Sequence, residues 1–172
     1  MLRALGAKIG LAVFVVDVLK GVAGVAICSA LGMEGWLLSM GGLFTALGHC
    51  FSVYLGFKGG KGVATSLGVV LMLSPLAGVI AFAAWFAVVL PTRIVSLASL
   101  VGALTLPIAY YFLHTSTPEA TVPLVAMAIV VIGRHDENIE RLLRGEENRF
   151  GSKKKSDSDE PAANTQADTE EA

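Results

Sequence analysis

Long apolar segments alternate with short polar connections along this chain, a pattern typical of membrane-spanning helices. The apolar segments cover residues 7–31, 35–55, 63–90, 94–113 and 121–133. Residues 62–92 and 94–118 contain no Asp, Glu, Lys or Arg. Uncharged stretches longer than about 18–20 residues are typical of membrane spans. The sequence therefore predicts an all-α fold, a polytopic integral membrane helical bundle.

The third apolar segment can form one long helix or two short ones, and positive charge decides between them. If residues 63–90 cross the membrane once, Arg93 and the basic stretch from Arg134 onward lie on the side opposite to the basic N-terminus. Cytoplasmic connections are enriched in Lys and Arg, so that arrangement is disfavoured. A break near Ser74 and Pro75 brings all these residues to one side. We predict six membrane helical segments, with the third and fourth short, at about 11 and 15 residues.

The connection between the second and third segments is the most distinctive part of the sequence. Gly56-Phe57-Lys58-Gly59-Gly60-Lys61-Gly62, the glycine–lysine loop, has two lysines and four glycines within seven residues. Bare backbone N–H groups and ammonium groups suit an anion, above all a phosphate. No Ser or Thr follows a Gly-Lys pair, so the loop is not a nucleotide-binding P-loop. The simpler alternative is a flexible positive turn that only sets topology.

Polar residues near the other basic connections are further candidates. His135 and Asn138 are three residues apart on one face of a predicted short amphipathic helix in the membrane interface. Histidine can act as a base, and asparagine can orient a hydroxyl or carbonyl group. Arg93 and Ser96 begin another helix and suit a phosphate. A polar interfacial helix, and capping or anchoring of a helix end, are the simpler alternatives.

Two ionisable residues, Asp17 and Lys20, lie inside the first apolar segment. Charged residues within a membrane segment are usually functional, but a mutual ion pair that fixes helix packing is an equal alternative here. His49 ends the second long helix beside the glycine–lysine loop, where a histidine bound to backbone is the alternative to a ligand contact. Cys28 and Cys50 fall in apolar segments and suggest neither a disulfide nor a metal site.

Composition and charge refine this picture. The chain has 172 residues, of which 54% are hydrophobic, and a mean hydropathy of +0.68, so a sizeable soluble domain is not expected. The net charge of −1 is the sum of two oppositely charged regions. The charged residues within 156–172 are all acidic, whereas the rest of the chain has a net positive charge. We predict one membrane-embedded domain over residues 1–150 and a disordered tail over 151–172, basic and then acidic, on the cytoplasmic side.

Together these motifs resemble the bacterial acylphosphate:glycerol-3-phosphate acyltransferase (PlsY) family. The matching stretches, in order, are Asp17-Val18-Leu19-Lys20-Gly21, Gly48-His49-Cys50-Phe51, the glycine–lysine loop continued to Thr65, and His135-x-x-Asn138-Ile139-x-Arg141-Leu142. The resemblance implies a multi-pass enzyme of the bacterial inner membrane. It implies transfer of a fatty acyl group from acyl phosphate to the 1-hydroxyl of sn-glycerol 3-phosphate, giving lysophosphatidic acid and phosphate. No cofactor and no nucleic acid are implied, whereas membrane lipid and the enzyme that produces acyl phosphate are implied partners.

The resemblance also assigns roles to residues of a site that faces the cytoplasm. Substrate phosphate is expected on Lys58, Gly59, Gly60, Lys61, Gly62 and Arg93, catalytic roles on His135, Asn138 and Ser96, and supporting roles on His49 and Glu147. No metal ligand is expected. No Ser-His-Asp or Cys-His arrangement is visible, which favours direct transfer over an acyl-enzyme. Either His135 or a phosphate oxygen of the substrate takes the hydroxyl proton.

Two departures from the family are visible. Ser52 stands where the family usually has proline. The family also has a first helix and a first motif, with Ser, Asn and Arg groups, ahead of the stretch that matches the start of this chain. We therefore expect the family's seven helices minus one, and expect the upstream reading frame to encode the remainder. A catalytically inactive truncated remnant and a small membrane anion transporter or channel component stay open as alternatives.

Overall fold

The computed structural model describes residues 7–150, and this part of the chain is helical with no strand. The α-helices are α1 (Ala7–Ala30), α2 (Gly35–Cys50), α3 (Val63–Leu73), α4 (Pro75–Thr92), α5 (Val95–Leu113), α6 (Val122–Gly133) and α7 (Asp136–Leu143), with short 3-10 turns at Val53–Leu55 and Pro118–Thr121. The all-α prediction is confirmed. The predicted tail, 151–172, lies outside the described residues.

The predicted break in the third apolar segment is confirmed. Ser74 is extended between α3 and α4, with φ −153° and ψ 94°. Pro75 is the first residue of α4. An N–H group at this position has no acceptor within the helix, so a proline there costs no helical hydrogen bond. The boundary at the far end of α4 differs from the prediction, because the helix continues through Pro91 to Thr92 and has 18 residues.

The end of α2 also differs from the prediction. The second apolar segment runs to Leu55, but α2 stops at Cys50. A separate 3-10 turn follows, closed by a hydrogen bond from the Phe57 amide to the Ser52 carbonyl at 2.9 Å. Apolar residues therefore continue past the helix end into an exposed turn, where Tyr54 is 99% exposed. Hydrophobicity alone cannot distinguish such a turn from another turn of helix.

Among residues 7–150, three helical stretches are long and apolar enough to cross a membrane: Lys8–Ala30, Pro75–Thr92 and Val95–Leu113. The apolar helices α2, α3 and α6 have only 16, 11 and 12 residues. At 1.5 Å per residue they measure about 24, 17 and 18 Å, short of a hydrocarbon core of about 30 Å. Since exposed backbone groups are not tolerated in lipid, the ends of these helices must be covered by protein or reach water.

The helices α1 and α3 pack with their backbones almost in contact. A Cβ atom at Gly21 of α1 would lie 2.2 Å from the Thr65 carbonyl oxygen, and one at Gly68 of α3 would lie 2.0 Å from the Val18 carbonyl oxygen. Small residues at such crossings let membrane helices approach closely. Because α3 follows directly from the glycine–lysine loop, this packing fixes the end of the loop relative to α1.

The basic connections meet at one end of the bundle. Arg134, between α6 and α7, donates from Nη2 to the Gly59 carbonyl oxygen at 3.1 Å. The Phe150 amide donates to the Arg93 carbonyl oxygen at 2.6 Å. The connections at the opposite end, residues 31–34, 74 and 114–121, contain no Lys or Arg. The charge asymmetry used to predict the break is thus present in the fold.

Candidate functional site

Lys61 and Asn138 lie 77 positions apart in the chain and meet at the basic end of the bundle. The Lys61 ammonium group donates to Asn138 Oδ1. Asn138 is buried, and its Nδ2 donates to Glu147 Oε1 at 2.9 Å. The second oxygen of Glu147 accepts a hydrogen bond from Arg141 Nε at 2.8 Å. A continuous chain of hydrogen bonds thus joins the glycine–lysine loop to α7 and to the segment that follows it.

Glu147 is a carboxylate enclosed by hydrogen-bond donors, with a side chain only 8% exposed. Burial raises its pKa, but hydrogen bonds from Asn138 and Arg141 and a weaker contact with Ser96 together outweigh burial and hold the pKa below its ordinary value. The Ser96 hydroxyl is buried in the first turn of α5, and its contact with Glu147 falls short of a regular hydrogen bond. Glu147 therefore connects α7 with α5.

His135 precedes α7 and is 3% exposed. Its Nδ1 lies 2.7 Å from the Val131 carbonyl oxygen. Because a carbonyl oxygen only accepts, Nδ1 carries the proton and Nε2 carries the lone pair. Burial lowers the pKa of His135, and the Lys61 charge lowers it further, against the opposing effects of the Val131 bond and of two carboxylates, Glu147 and Asp136. His135 is consequently a neutral imidazole at pH 7, able to accept a proton.

Lys61 has an exposed side chain, but its ammonium group is partly desolvated and lies near the Arg141 guanidinium. Desolvation is the largest cause that lowers its pKa, and Arg141 lowers it further, while Glu137, Glu147 and Asp136 oppose the change. A cation with less water around it attracts an anion more strongly than a fully solvated one.

The glycines around Lys61 let the loop pack directly on the end of α2. A Cβ atom would lie 2.0 Å from the His49 carbonyl oxygen at Gly59 and 2.1 Å from His49 Nε2 at Gly60. Gly62 has φ +82°, in the left-handed region that favours glycine. The Gly59 amide already donates to the Cys50 carbonyl oxygen at 3.1 Å. At least one predicted phosphate-binding amide is therefore used in packing.

Other amide groups near Lys61 remain without an acceptor among residues 7–150. They are those of Gly60, Lys61 and Gly62 in the loop, and those of the first turn of α3, whose first intrahelical bond runs from the Ser66 amide to the Gly62 carbonyl oxygen at 2.8 Å. In the same turn the hydroxyls of Thr65 and Ser66 are buried and unpaired within the described chain. This concentration of donors suits a phosphate group.

The structure brings five predicted site residues into one cluster: Lys61, Ser96, His135, Asn138 and Glu147. Lys58 and Arg93 are exposed, and their side chains make no hydrogen bond or ion pair within residues 7–150. His49 contacts the loop rather than the cluster. No group of three His, Cys, Asp or Glu side chains among the described residues is placed to hold a metal ion.

Arg134 was not predicted to take part. Besides its bond to the Gly59 carbonyl, its guanidinium lies 5.5 Å from the centre of the Phe51 ring. Arg134 thereby holds the loop against the α6–α7 junction. Its only signal in the sequence is its position next to His135, at the end of an apolar helix. On α7 two ion pairs have four-residue spacing, with Arg141 3.8 Å from Glu137 and Arg144 bound to Glu140 at 2.5 Å.

Comparison with known proteins shows to which family this chain is similar. The family model described as glycerol-3-phosphate acyltransferase matches residues 1–145. The glycerol-3-phosphate acyltransferase of Aquifex aeolicus is 43% identical over 151 residues, which is 86% of this chain and 77% of that protein. The glycerol-3-phosphate acyltransferase of Fusobacterium nucleatum is 45% identical over 148 residues, with shares of 86% and 76%.

Solved structures give the same result. The crystal structure of PlsY (YgiH), an integral membrane glycerol 3-phosphate acyltransferase, in its glycerol 3-phosphate form superposes with a TM-score of 0.80 at 40% identity, covering 87% of this chain and 75% of that one. Its lysophosphatidic acid form superposes with a TM-score of 0.79 at the same identity. The helical arrangement around the cluster is thus shared with an integral membrane enzyme.

Proposed function

Because this chain belongs to the glycerol-3-phosphate acyltransferase family, we propose that the cluster around Lys61 and Asn138 is its active site. The protein is an integral membrane acyltransferase, which acylates glycerol 3-phosphate to give lysophosphatidic acid. The observation that carries the assignment of the site is the hydrogen bond from Lys61 to Asn138. It joins the phosphate-suited loop to the helix that follows the buried His135.

We propose a fatty acyl phosphate as the donor. Its phosphate is a good leaving group, so the protein needs no nucleophile of its own and mainly has to bring two anionic substrates together. Lys61 and the unpaired amide groups at the start of α3 attract their phosphates and stabilise charge on the departing one. Glu147 fixes Asn138, which orients a substrate oxygen, and Ser96 completes the wall of the site.

The transfer is a single displacement. The 1-hydroxyl oxygen of glycerol 3-phosphate forms a bond to the acyl carbon, and the bond from that carbon to the phosphate oxygen breaks. The electron pair of the broken bond leaves with the phosphate. The hydroxyl proton passes to His135 Nε2, which has a lone pair because Nδ1 donates to Val131, and then to the released phosphate. The products are lysophosphatidic acid and hydrogen phosphate, and no cofactor takes part.

We place this site on the cytoplasmic side of the bacterial inner membrane, where the enzyme that produces acyl phosphate can supply it. The support is that the basic connections share the end of the bundle that holds Lys61. Single-cysteine variants at Lys58 and Met33, with Cys28 and Cys50 replaced by alanine, test this with an impermeant maleimide. In spheroplasts, labelling at position 33 but not at position 58 is expected, and the reverse would refute the orientation.

The activity test uses the protein purified in detergent. Lysophosphatidic acid should form from glycerol 3-phosphate with palmitoyl phosphate and not with palmitoyl-CoA. Formation from the CoA ester would refute the donor, and no product from either would refute the function. Asn138→Ala should lower kcat/KM at least about 100-fold, the scale of a misplaced catalytic group. Glu140→Gln, on an exposed position of the same helix, is the matched control and should leave kcat/KM unchanged.

A further inference from the structure

Asp17, near the middle of α1, lies beside His49, the second-last residue of α2. Its Oδ1 is 3.6 Å from His49 Nδ1, and both side chains are only 17% exposed. The same oxygen accepts a hydrogen bond from Lys20 Nζ at 3.1 Å, but the Lys20 side chain is 59% exposed. The predicted ion pair between Asp17 and Lys20 is therefore present at the surface. The contact with His49 is the one that faces the protein interior.

The opposite edge of the His49 ring rests against the glycine–lysine loop. A Cβ atom at Gly60 would lie 2.1 Å from Nε2 and 2.9 Å from Cε1 of this ring. The ring therefore has Asp17 at one nitrogen and the residue before Lys61 at the other. A side chain held at both edges has little freedom to rotate, so it acts as a fixed support beneath the loop.

The far end of the loop is fixed to the same helix. After Lys61 the chain enters α3, whose first turns contact α1 through Gly21 and Gly68. These contacts involve backbone atoms and leave little room for adjustment. The position of the loop is thus fixed relative to α1 at both ends. One end is fixed through α3, and the other through His49 and Asp17.

We propose that Asp17 is a positioning residue for the acyl transfer: it holds the His49 ring against Gly60 and so sets the place of Lys61. The inference rests on the proposed active site, because it gives Asp17 a role only if Lys61 binds substrate phosphate. Lys20 is not part of this device, since an exposed ion pair contributes little to the position of either partner.

Kinetics of single variants give the first test. Asp17→Ala should lower kcat/KM for glycerol 3-phosphate about 10- to 100-fold, the cost of a catalytic group displaced by about 1 Å. The rise in KM should exceed the fall in kcat, because a displaced Lys61 loses attraction for the bound phosphate. Asp17→Asn, which keeps an acceptor oxygen, should recover part of the loss. Lys20→Met should stay within two-fold of wild type.

A double-variant cycle separates positioning from general stability. Gly60→Ala places a methyl group against the His49 ring, and the ring can move aside only when Asp17 does not hold it. The additional loss caused by Gly60→Ala should therefore be at least five-fold smaller in the Asp17→Ala protein than in the wild type. Gly59→Ala is the matched control. Its methyl group would meet the His49 carbonyl oxygen at 2.0 Å, a backbone atom, so its loss should be equal in both proteins.

The outcomes are distinct. A wild-type protein that makes no lysophosphatidic acid refutes the proposed function itself. An active wild type with Asp17→Ala equally active, or with equal Gly60→Ala losses in both proteins, refutes the positioning role. Thermal unfolding of each purified variant identifies those that fail to fold. Should Asp17→Ala be among them, Asp17→Asn enters the cycle in its place, with the same expected sign.

Discussion

Replacement of Glu147 by glutamine tests whether the buried carboxylate organises the cluster. The carboxylate accepts from Asn138 Nδ2 at 2.9 Å and from Arg141 Nε at 2.8 Å. The glutamine amide can keep one of these bonds, but its NH2 group then faces the other donor. A hydrogen bond to a charged group contributes about 1.5–3 kcal/mol. Because Arg141 is 35% exposed and water can replace part of its bond, we expect a loss near the lower limit, about 1–2 kcal/mol.

The assay pairs thermal unfolding with kinetics. Glu147→Gln should lower the Tm by several degrees and kcat/KM by about 10-fold or more, because Asn138 loses the partner that fixes its amide. The control is Glu140→Gln, which removes a carboxylate from the exposed Glu140–Arg144 pair, whose side chains are 62% and 63% exposed. It should leave both the Tm and the rate almost unchanged. Equal effects from the two variants would show that burial and the bond to Asn138 are irrelevant.

The same carboxylate predicts a pH dependence of stability. The pKa of Glu147 in the folded protein lies below its ordinary value. Folding therefore stabilises the ionised carboxylate relative to the protonated carboxyl group, and this adds to the free energy of unfolding. This contribution is complete above the unfolded pKa, about 4.3, and is lost as pH falls through the lower folded pKa. The Tm difference between wild type and Glu147→Gln should therefore shrink in acid. A constant difference down to pH 3 would contradict this explanation.

Three further predictions concern single residues of the cluster and its frame. Because burial lowers the pKa of His135, kcat/KM should stay flat as pH falls past about 6.5 and decline only at more acidic values; a decline centred above 6.5 would exclude neutral His135 as the base. Lys61→Met should raise KM for glycerol 3-phosphate or acyl phosphate at least 10-fold in a steady-state assay, and unchanged KM for both would remove Lys61 from phosphate binding. Gly21→Ala should lower the Tm, since its Cβ atom would lie 2.2 Å from a backbone oxygen, whereas Gly48→Ala, with no atom within 4 Å, should not; equal Tm values would contradict the close packing of α1 on α3.

Features encoded locally in the sequence were predictable, and contacts between distant segments were not. The break at Ser74 follows from the adjacent proline and from the need to place all basic connections on one side of the membrane. The ion pairs of α7 follow from the four-residue spacing of opposite charges. The bond between Asn138 and Glu147 depends on a chain reversal at Gly145, where φ is +72°, and no periodicity extends across such a turn. The contact of Asp17 with His49 depends on the relative depth of α1 and α2, which hydrophobicity does not specify.

The charges of the cluster explain why it contains a buried carboxylate at all. Lys61, Arg134 and Arg141 converge on one end of the bundle, and Arg141 already lowers the pKa of Lys61. Without an anion nearby, these cations repel one another, which would push the loop and α7 apart before substrate arrives. Glu147, together with Asp136 and Glu137 on α7, supplies negative charge from within the protein, yet Glu147 bonds to Asn138 and Arg141 rather than to Lys61. The ammonium group is thereby held in place while most of its attraction stays available to a substrate phosphate. A carboxylate bound directly to Lys61 would stabilise the cluster equally but would compete with the substrate phosphate. Asn138 lies between Lys61 and Glu147, so the cluster is stabilised while Lys61 stays available to the phosphate.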